Sequence, residues 1–310
     1  MIKNIVSAIV VLLVLFSFAN AEQSLAPNEQ SDTVRIMSVE PAANGIYAVV
    51  SLEYPKSWGD DAKFMVEVNG KSMRARKISG GFSSDRNMTD LMFFPKQAGK
   101  QNITVRTMIK GRNIQSKSTF DWKQVPLIAM MGHTGDREML MGKDKQLTVA
   151  VANIMDVRVS FNGKDIYGKL SGSDIQTRSL DPAWRQGKNI LTVSANKFDG
   201  SLIVKNFTFF YPAENGILHP GETAVFYYGK EGSRSGPFYD VKIGGDALTP
   251  VSDVRTNVLS MDNDGWLVSD PMLGKEFRAQ KPGSAVIRIF IKPHFLEKMK
   301  LDRELTVTVR

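Results

Sequence analysis

Three histidines, one aspartate-rich turn and two groups of basic side chains are the residues that could do chemistry in this chain. Catalysis by histidine, or metal binding, needs several such groups to converge. His133, His219 and His294 stand in separate sequence neighbourhoods, so each is expected to be a lone loop histidine. No Gly-x-Ser-x-Gly elbow leads into a helix, and no phosphate loop or dinucleotide fingerprint is present. Asp262-Asn263-Asp264-Gly265 offers clustered oxygens of the kind calcium takes. With Gly265 set as the invariant glycine of a calcium loop, Pro271 stands where the closing glutamate belongs. A plain Asx-Gly turn is therefore expected there. No catalytic residue, metal ligand or cofactor site is assigned.

Arg74, Arg76 and Lys77 form one basic group, and Arg106, Lys110 and Arg112 form another near a strand end. Together they are the candidate patch for an anionic polymer. Solvated strand faces and edge-protecting charges are the simpler account. Leu127, Ile128, Met130 and Met131, with Met139 and Met141, make a methionine-rich stretch. Flexible thioethers suit an adaptable partner surface, and they also fill joints between domains. The seam between two domains is the favoured reading, because adjacent domains need an apolar joint.

Strands must carry these residues. Apolar side chains alternate at Phe64-Val66-Val68, Leu147-Val149-Val151, Val157-Val159-Phe161 and Leu305-Val307-Val309. Period two buries one face and leaves the other to solvent. Asn69-Gly70 and Asn162-Gly163 end two of these runs and favour two-residue hairpins, since both residue types accept positive φ. No long stretch has a helical apolar face; a short turn near Phe295 to Leu301 is the best helical candidate.

The chain repeats itself. Val66-Glu67-Val68-Asn69-Gly70-Lys71 and Gly99-Lys100-Gln101-Asn102-Ile103-Thr104-Val105 return as Val159-Ser160-Phe161-Asn162-Gly163-Lys164 and Gly187-Lys188-Asn189-Ile190-Leu191-Thr192-Val193. Thr104 and Thr192 lie 88 positions apart, and Asn69 and Asn162 lie 93 apart. That is one immunoglobulin-sized sandwich. The expected organisation is a signal peptide at 1–21, a flexible leader at 22–32 and three all-β sandwiches at 33–124, 125–212 and 213–310.

The N-terminus supplies the signal-peptide expectation. Lys3 precedes an apolar run from Ile5 to Phe18, and Ala19-Asn20-Ala21 has small residues at the two positions an export peptidase reads. No second apolar stretch of spanning length follows, so no membrane span is expected after cleavage. There are no cysteines, which excludes disulfides, thiolate metal sites and a cysteine nucleophile. The formal charge of +8 is uneven. Residues 33–124 hold 15 Lys+Arg against 8 Asp+Glu, 125–212 hold 11 against 8, and 213–310 hold 13 against 13. Export and the missing motifs argue against nucleic acid as a partner.

The second copy resembles the bacterial immunoglobulin-like modules of surface proteins, including those of the glucodextranase accessory type. Asn162-Gly163, Leu180, Trp184, the strand Gly187 to Ala195 and the turn Asp199-Gly200 carry the resemblance. It covers 125–212 and, more weakly, 33–124, and it implies a fold without implying a site. Phe277-Arg278-Ala279-Gln280-Lys281-Pro282-Gly283-Ser284-Ala285-Val286-Ile287-Arg288-Ile289 reads as strand–turn–strand. It is similar to hairpins of bacterial immunoglobulin-like repeats and of chagasin-type cysteine-protease inhibitors. That family's Asn-Pro-Thr-Thr-Gly loop is missing, and Lys292-Pro293-His294-Phe295 resembles its Arg-Pro-Trp loop only loosely.

The functional expectation is a non-enzymatic periplasmic or extracellular protein that contacts an envelope protein or a glycan through sandwich edges and loops. The alternatives are protease inhibition by the last domain and a role beside a glycan-active hydrolase.

Overall fold

A computed structural model describes residues 32–42, 44–60, 62–82, 85–141, 146–172, 174–211 and 218–310. The expected signal peptide and nearly all of the leader lie outside the described residues. The described chain is built almost wholly of strands, in two compact units. One unit holds Tyr47–Trp122 with the residues before Ala43, and the other holds Lys123–Arg310 with Asn44–Ile46.

The first unit contains β1 (Arg35–Pro41), β2 (Ala48–Pro55), β3 (Phe64–Val68), β4 (Lys71–Met73), β5 (Ala75–Phe82), β6 (Arg86–Phe93), β7 (Gly99–Ile109) and β8 (Arg112–Trp122). One sheet runs β1-β2-β6-β5 and the other β4-β3-β7-β8. Counting strands A to G, these are A-B-E-D and C′-C-F-G, the order of an immunoglobulin sandwich. Alternation builds the core: β2 sends Ala48, Val50 and Leu52 inward, and β7 sends Ile103 and Val105 to meet them. Phe93 and Trp122 close the same cluster.

The second unit opens with β9 (Leu127–Met130), β10 (Met139–Leu140), β11 (Leu147–Ala152), β12 (Ile154–Phe161), β13 (Lys164–Gly172), β14 (Gln176–Leu180), β15 (Gly187–Asn196) and β16 (Leu202–Tyr211). Sheet β14-β11-β9 faces the run β13-β12-β15-β16, again an E-B-A sheet against C′-C-F-G. The chain continues through β17 (Thr223–Lys230), β18 (Phe238–Gly244), β19 (Leu248–Met261), β20 (Leu267–Ala279), β21 (Gly283–Lys292) and β22 (Lys300–Val309). Here β17-β20-β19 and β18-β21-β22 give B-E-D against C-F-G. A parallel bridge from Leu218 to Val309 stands in for the first strand.

The repeat has a physical cause. Asn69-Gly70 and Asn162-Gly163 both sit at positive φ, 50° and 75° in the first turn and 52° and 79° in the second. They close two-residue hairpins, Val68 opposite Lys71 and Phe161 opposite Lys164. Each turn asparagine accepts a backbone N–H from the F strand, Asn102 to Asn69 at 2.9 Å and Ile190 to Asn162 at 2.9 Å. Each also donates its side-chain amide to a buried amide of that strand, Asn69 to Gln101 at 2.6 Å and Asn162 to Asn189 at 2.8 Å. Gln101 in turn donates to the carbonyls of Ala98 and Gly99, and Asn189 to those of Arg185 and Gly187. The repeated residues thus spell a clasp joining the C–C′ turn, the F strand and the E–F loop.

The boundary expected at 212/213 is crossed by a sheet. β10 runs parallel between β16 and β17, with Met139 opposite both Phe209 and Val225. The result is one eight-stranded sheet, β13-β12-β15-β16-β10-β17-β20-β19. Its two faces serve different cores. Met139, Phe209, Val225 and Tyr227 enter one cluster; Leu140, Phe210, Ala224, Phe226 and Tyr228 enter the other. Neighbouring side chains on a strand point to opposite faces. The two partner sheets therefore cover opposite faces of the shared sheet.

One expectation about the last 98 residues needs correction. Phe277 to Ile289 is not a hairpin: β20 and β21 belong to different sheets, and the turn between them carries the chain across the sandwich. Both strands bury alternate residues, such as Phe277 and Ile287, in the core between the sheets. The segment near Phe295 to Leu301 forms turns and then enters β22, without a helix. Glu297 N–H bonds the His294 carbonyl at 2.9 Å, one turn that does not propagate.

Candidate functional site

The structure separates most residues that the sequence singled out. Arg76 and Lys77 lie on β5 of one sheet, with Arg74 just before it. Arg106 and Arg112 lie on β7 and β8 of the other sheet, with Lys110 in the turn between. Arg106 pairs with Glu67 at 3.0 Å, and Lys77 donates to the Asp60 carbonyl at 3.1 Å. The two basic groups thus do not converge on one sheet.

Of the methionine-rich stretch, Ile128, Met130, Met139 and Met141 are buried in the core of the second sandwich. Leu127 and Met131 are half-buried. Met139 is also the residue paired with both sandwiches of the second unit.

The Asp262 carboxylate is occupied by its own turn. It accepts N–H bonds from Asp264 at 3.0 Å and from Trp266 at 2.9 Å, and Trp266 is buried. This is an Asx turn.

His133 lies in a loop, as expected, but its side chain is packed inside. It is buried and lies edge-on to Phe207 and Phe209. Gly135 N–H donates to its Nδ1 at 2.8 Å, so Nε2 carries the proton and bonds the Thr208 carbonyl at 3.3 Å. Burial pushes its pKa down; the Thr208 carbonyl and, more weakly, Asp136 oppose that shift. Protonating Nδ1 would set a donor against the Gly135 N–H. The folded state thus binds its proton less readily than the unfolded chain does. Stability should be level above about pH 6.5, the ordinary histidine value, and should fall as pH drops below it. Urea unfolding at pH 7.5 and pH 5 checks this, and His133→Gln should reduce the acid-side loss.

An open groove crosses the outer face of β12, β15 and β16, lined by Asp156, Arg158, Thr192, Ser194, Asn196 and Leu202. Its titratable groups are one aspartate and one arginine. Glycoside hydrolysis uses two carboxyl groups roughly 5–10 Å apart, and the groove lining offers one.

The loop end of the third sandwich is a different kind of surface. Two loops meet there, residues 231–237 between β17 and β18, and residues 293–299 between β21 and β22. Phe295 N–H bonds the Ser235 carbonyl at 3.0 Å. Gly236 has φ +122°, and a Cβ on it would stand 2.5 Å from the Pro293 carbonyl oxygen. The loops therefore pack backbone to backbone, which only glycine permits at that position. On this base stand Phe295, Leu296 and Met299, which are 52%, 77% and 44% exposed. Phe238 and Leu301 extend the apolar surface along the adjoining strands, opposite Lys292 and Phe290. Single exposed apolar residues are ordinary, but a cluster rimmed by polar groups marks an interaction site. Sequence reading took this segment for a turn because its apolar residues follow neither strand nor helix period.

No protein-family model matches the chain, and no curated protein matches it. Among solved structures, dimeric latent PorU from Porphyromonas gingivalis is similar over 89% of this chain and 34% of that one, at 9% identity and TM-score 0.30. The chain thus spans about a third of that structure's length. The titin I-band fragment I67–I69 is similar over 90% of this chain and 96% of that one, at 6% identity and TM-score 0.19. The Clostridium thermocellum CbhA fibronectin(III)-like modules cover 59% of this chain and 91% of their own, at 12% identity and TM-score 0.20. At such scores these likenesses carry no weight. The immunoglobulin-like assignment rests on the strand orders.

Proposed function

We propose that this chain is an exported, non-catalytic binding protein of the bacterial envelope, and that it works through the loop end of its third sandwich. The observation that carries the reading is the cluster of exposed Phe295, Leu296 and Met299 on the 293–299 loop, which packs backbone to backbone against the 231–237 loop. The shared sheet gives that tip a stiff mount, because β10 joins the second and third sandwiches by main-chain bonding. The export-type N-terminus supports the location.

The likeness of the second sandwich to modules of the glucodextranase accessory type makes a glycan one candidate partner and an envelope protein another. Protease inhibition is the second reading. It is favoured by the contact of the 231–237 loop with the 293–299 loop that begins at Pro293-His294-Phe295. Inhibition of a papain-like enzyme by the intact protein would decide for it. For the main reading, a photo-crosslinking residue at position 296 is expected to capture an envelope component in intact cells. The same residue at position 160, on the outer face of β12, is expected to capture none.

A further inference from the structure

We infer that the loop end of the third sandwich docks on an anionic lipid surface. The inference rests on the reading of that tip as the working surface and adds the chemistry of its partner.

Charge decides the partner class. Residues 213–310 are neutral overall, with 13 basic against 13 acidic side chains. At the tip the balance is lost. Arg234, Lys292, Lys298 and Lys300 lie on the two loops or at their strand ends and make no ion pair among the described residues. Glu297 is the one carboxylate within the 293–299 loop. The nearby acids are already engaged: Glu231 with Arg255 at 3.1 Å, Asp302 with Arg303 at 3.1 Å, and Asp240 with Lys242 at 3.8 Å. The tip therefore presents free cations interleaved with exposed apolar side chains.

That mixture fits a bilayer interface. Phe and Leu side chains gain by entering the boundary between headgroups and acyl chains, and nearby lysines gain from anionic headgroups. Lysine stems can lie along apolar surface while the ammonium stays at headgroup level. Lys298 and Lys300 flank Met299 in the sequence and suit that arrangement. The loops need not reorder on contact, since Phe295 and Gly236 already hold them together. This is surface docking and differs from spanning; no helix among the described residues is long and apolar enough to cross a membrane.

The test is co-sedimentation of the full-length purified protein with vesicles of phosphatidylcholine alone, or with roughly one-third phosphatidylglycerol. Binding to the anionic vesicles is expected to be at least about tenfold tighter than to the neutral ones, and to weaken as salt rises. Lys298→Glu with Lys300→Glu should weaken it by at least about 25-fold, on a scale of roughly fivefold per lysine at a charged surface. Leu296→Ser should also weaken it. Leu296 is 77% exposed, so its replacement should leave thermal unfolding unchanged and separate docking from folding. Equal binding to both vesicle types, indifference to these substitutions, or no vesicle binding would overturn the inference. A protein adduct from position 296 without vesicle binding would also overturn it, while leaving the tip as the working surface. No adduct of any kind would remove that reading as well.

Discussion

Replacing Asn189 by leucine should lower the unfolding free energy of the second unit by about 3–5 kcal/mol, the range for losing several buried hydrogen bonds at once. Asn189 is fully buried. Its amide oxygen accepts from Asn162 at 2.8 Å and from Arg185 N–H at 3.0 Å. Its amide nitrogen donates to the carbonyls of Arg185 at 2.8 Å and Gly187 at 2.7 Å. Leucine has a similar volume and none of these groups. The four partners would remain, some of them away from water, and an unsatisfied buried polar group costs about 1–3 kcal/mol. Asn189→Gln imports the residue that fills this place in the first sandwich. Its extra methylene should cost less, about 1–3 kcal/mol, through crowding. Urea denaturation checks both: the midpoint should shift while the slope holds. A Leu variant as stable as the original would mean that the clasp is decorative.

Leu140→Ala should have an effect of similar size, about 2–5 kcal/mol, as for other buried leucine truncations. Leu140 is 1% exposed in the core of the third sandwich, on the two-residue strand that joins it to the second. The main chain beside it is tied on both sides: Val225 N–H bonds the Glu138 carbonyl at 2.8 Å, and Met141 N–H bonds the Phe210 carbonyl at 3.0 Å. A cavity here should loosen more than one core. Hydrogen exchange should show reduced protection in β16 and β17 together, because β10 is the neighbour of both. Loss of protection confined to β17 and the third core would contradict a shared sheet.

These two sites mark the limits of sequence reading here. The repeat was visible because both copies must rebuild the same clasp, so Asn69 and Asn162 recur with their glycines. Alternation placed Val66, Val149, Val159 and Val307 in buried positions, where the structure also has them. The joint was hidden because β10 has only two residues, too few for any period. The clearest missed signal is Ala224-Val225-Phe226-Tyr227-Tyr228, five buried residues in succession. A strand apolar on both faces must be covered on both. That run therefore called for a second core across the expected boundary.

The candidate tip was half legible. Its apolar residues can be read directly from the sequence, but the tip they stand on is made by two loops, about 60 residues apart in the chain, packing together. The glycine at position 236 that lets them touch has no sequence mark separating it from an ordinary turn glycine. His133 was legible as a loop residue but not as a buried one. Its neighbours Gly132, Thr134 and Gly135 indicate a loop, which it occupies, yet the loop is pressed onto β16 by the Thr208 carbonyl and two phenylalanine rings.

The central claim is that the loop end of the third sandwich is where this protein meets its partner. Paired photo-crosslinking in intact cells tests it most directly, with the reactive side chain at position 296 on the tip or at position 160 on the outer face of the second sandwich. A discrete lipid or protein adduct is expected from 296 and none from 160. Adducts from 160 alone, or from neither position, would contradict it.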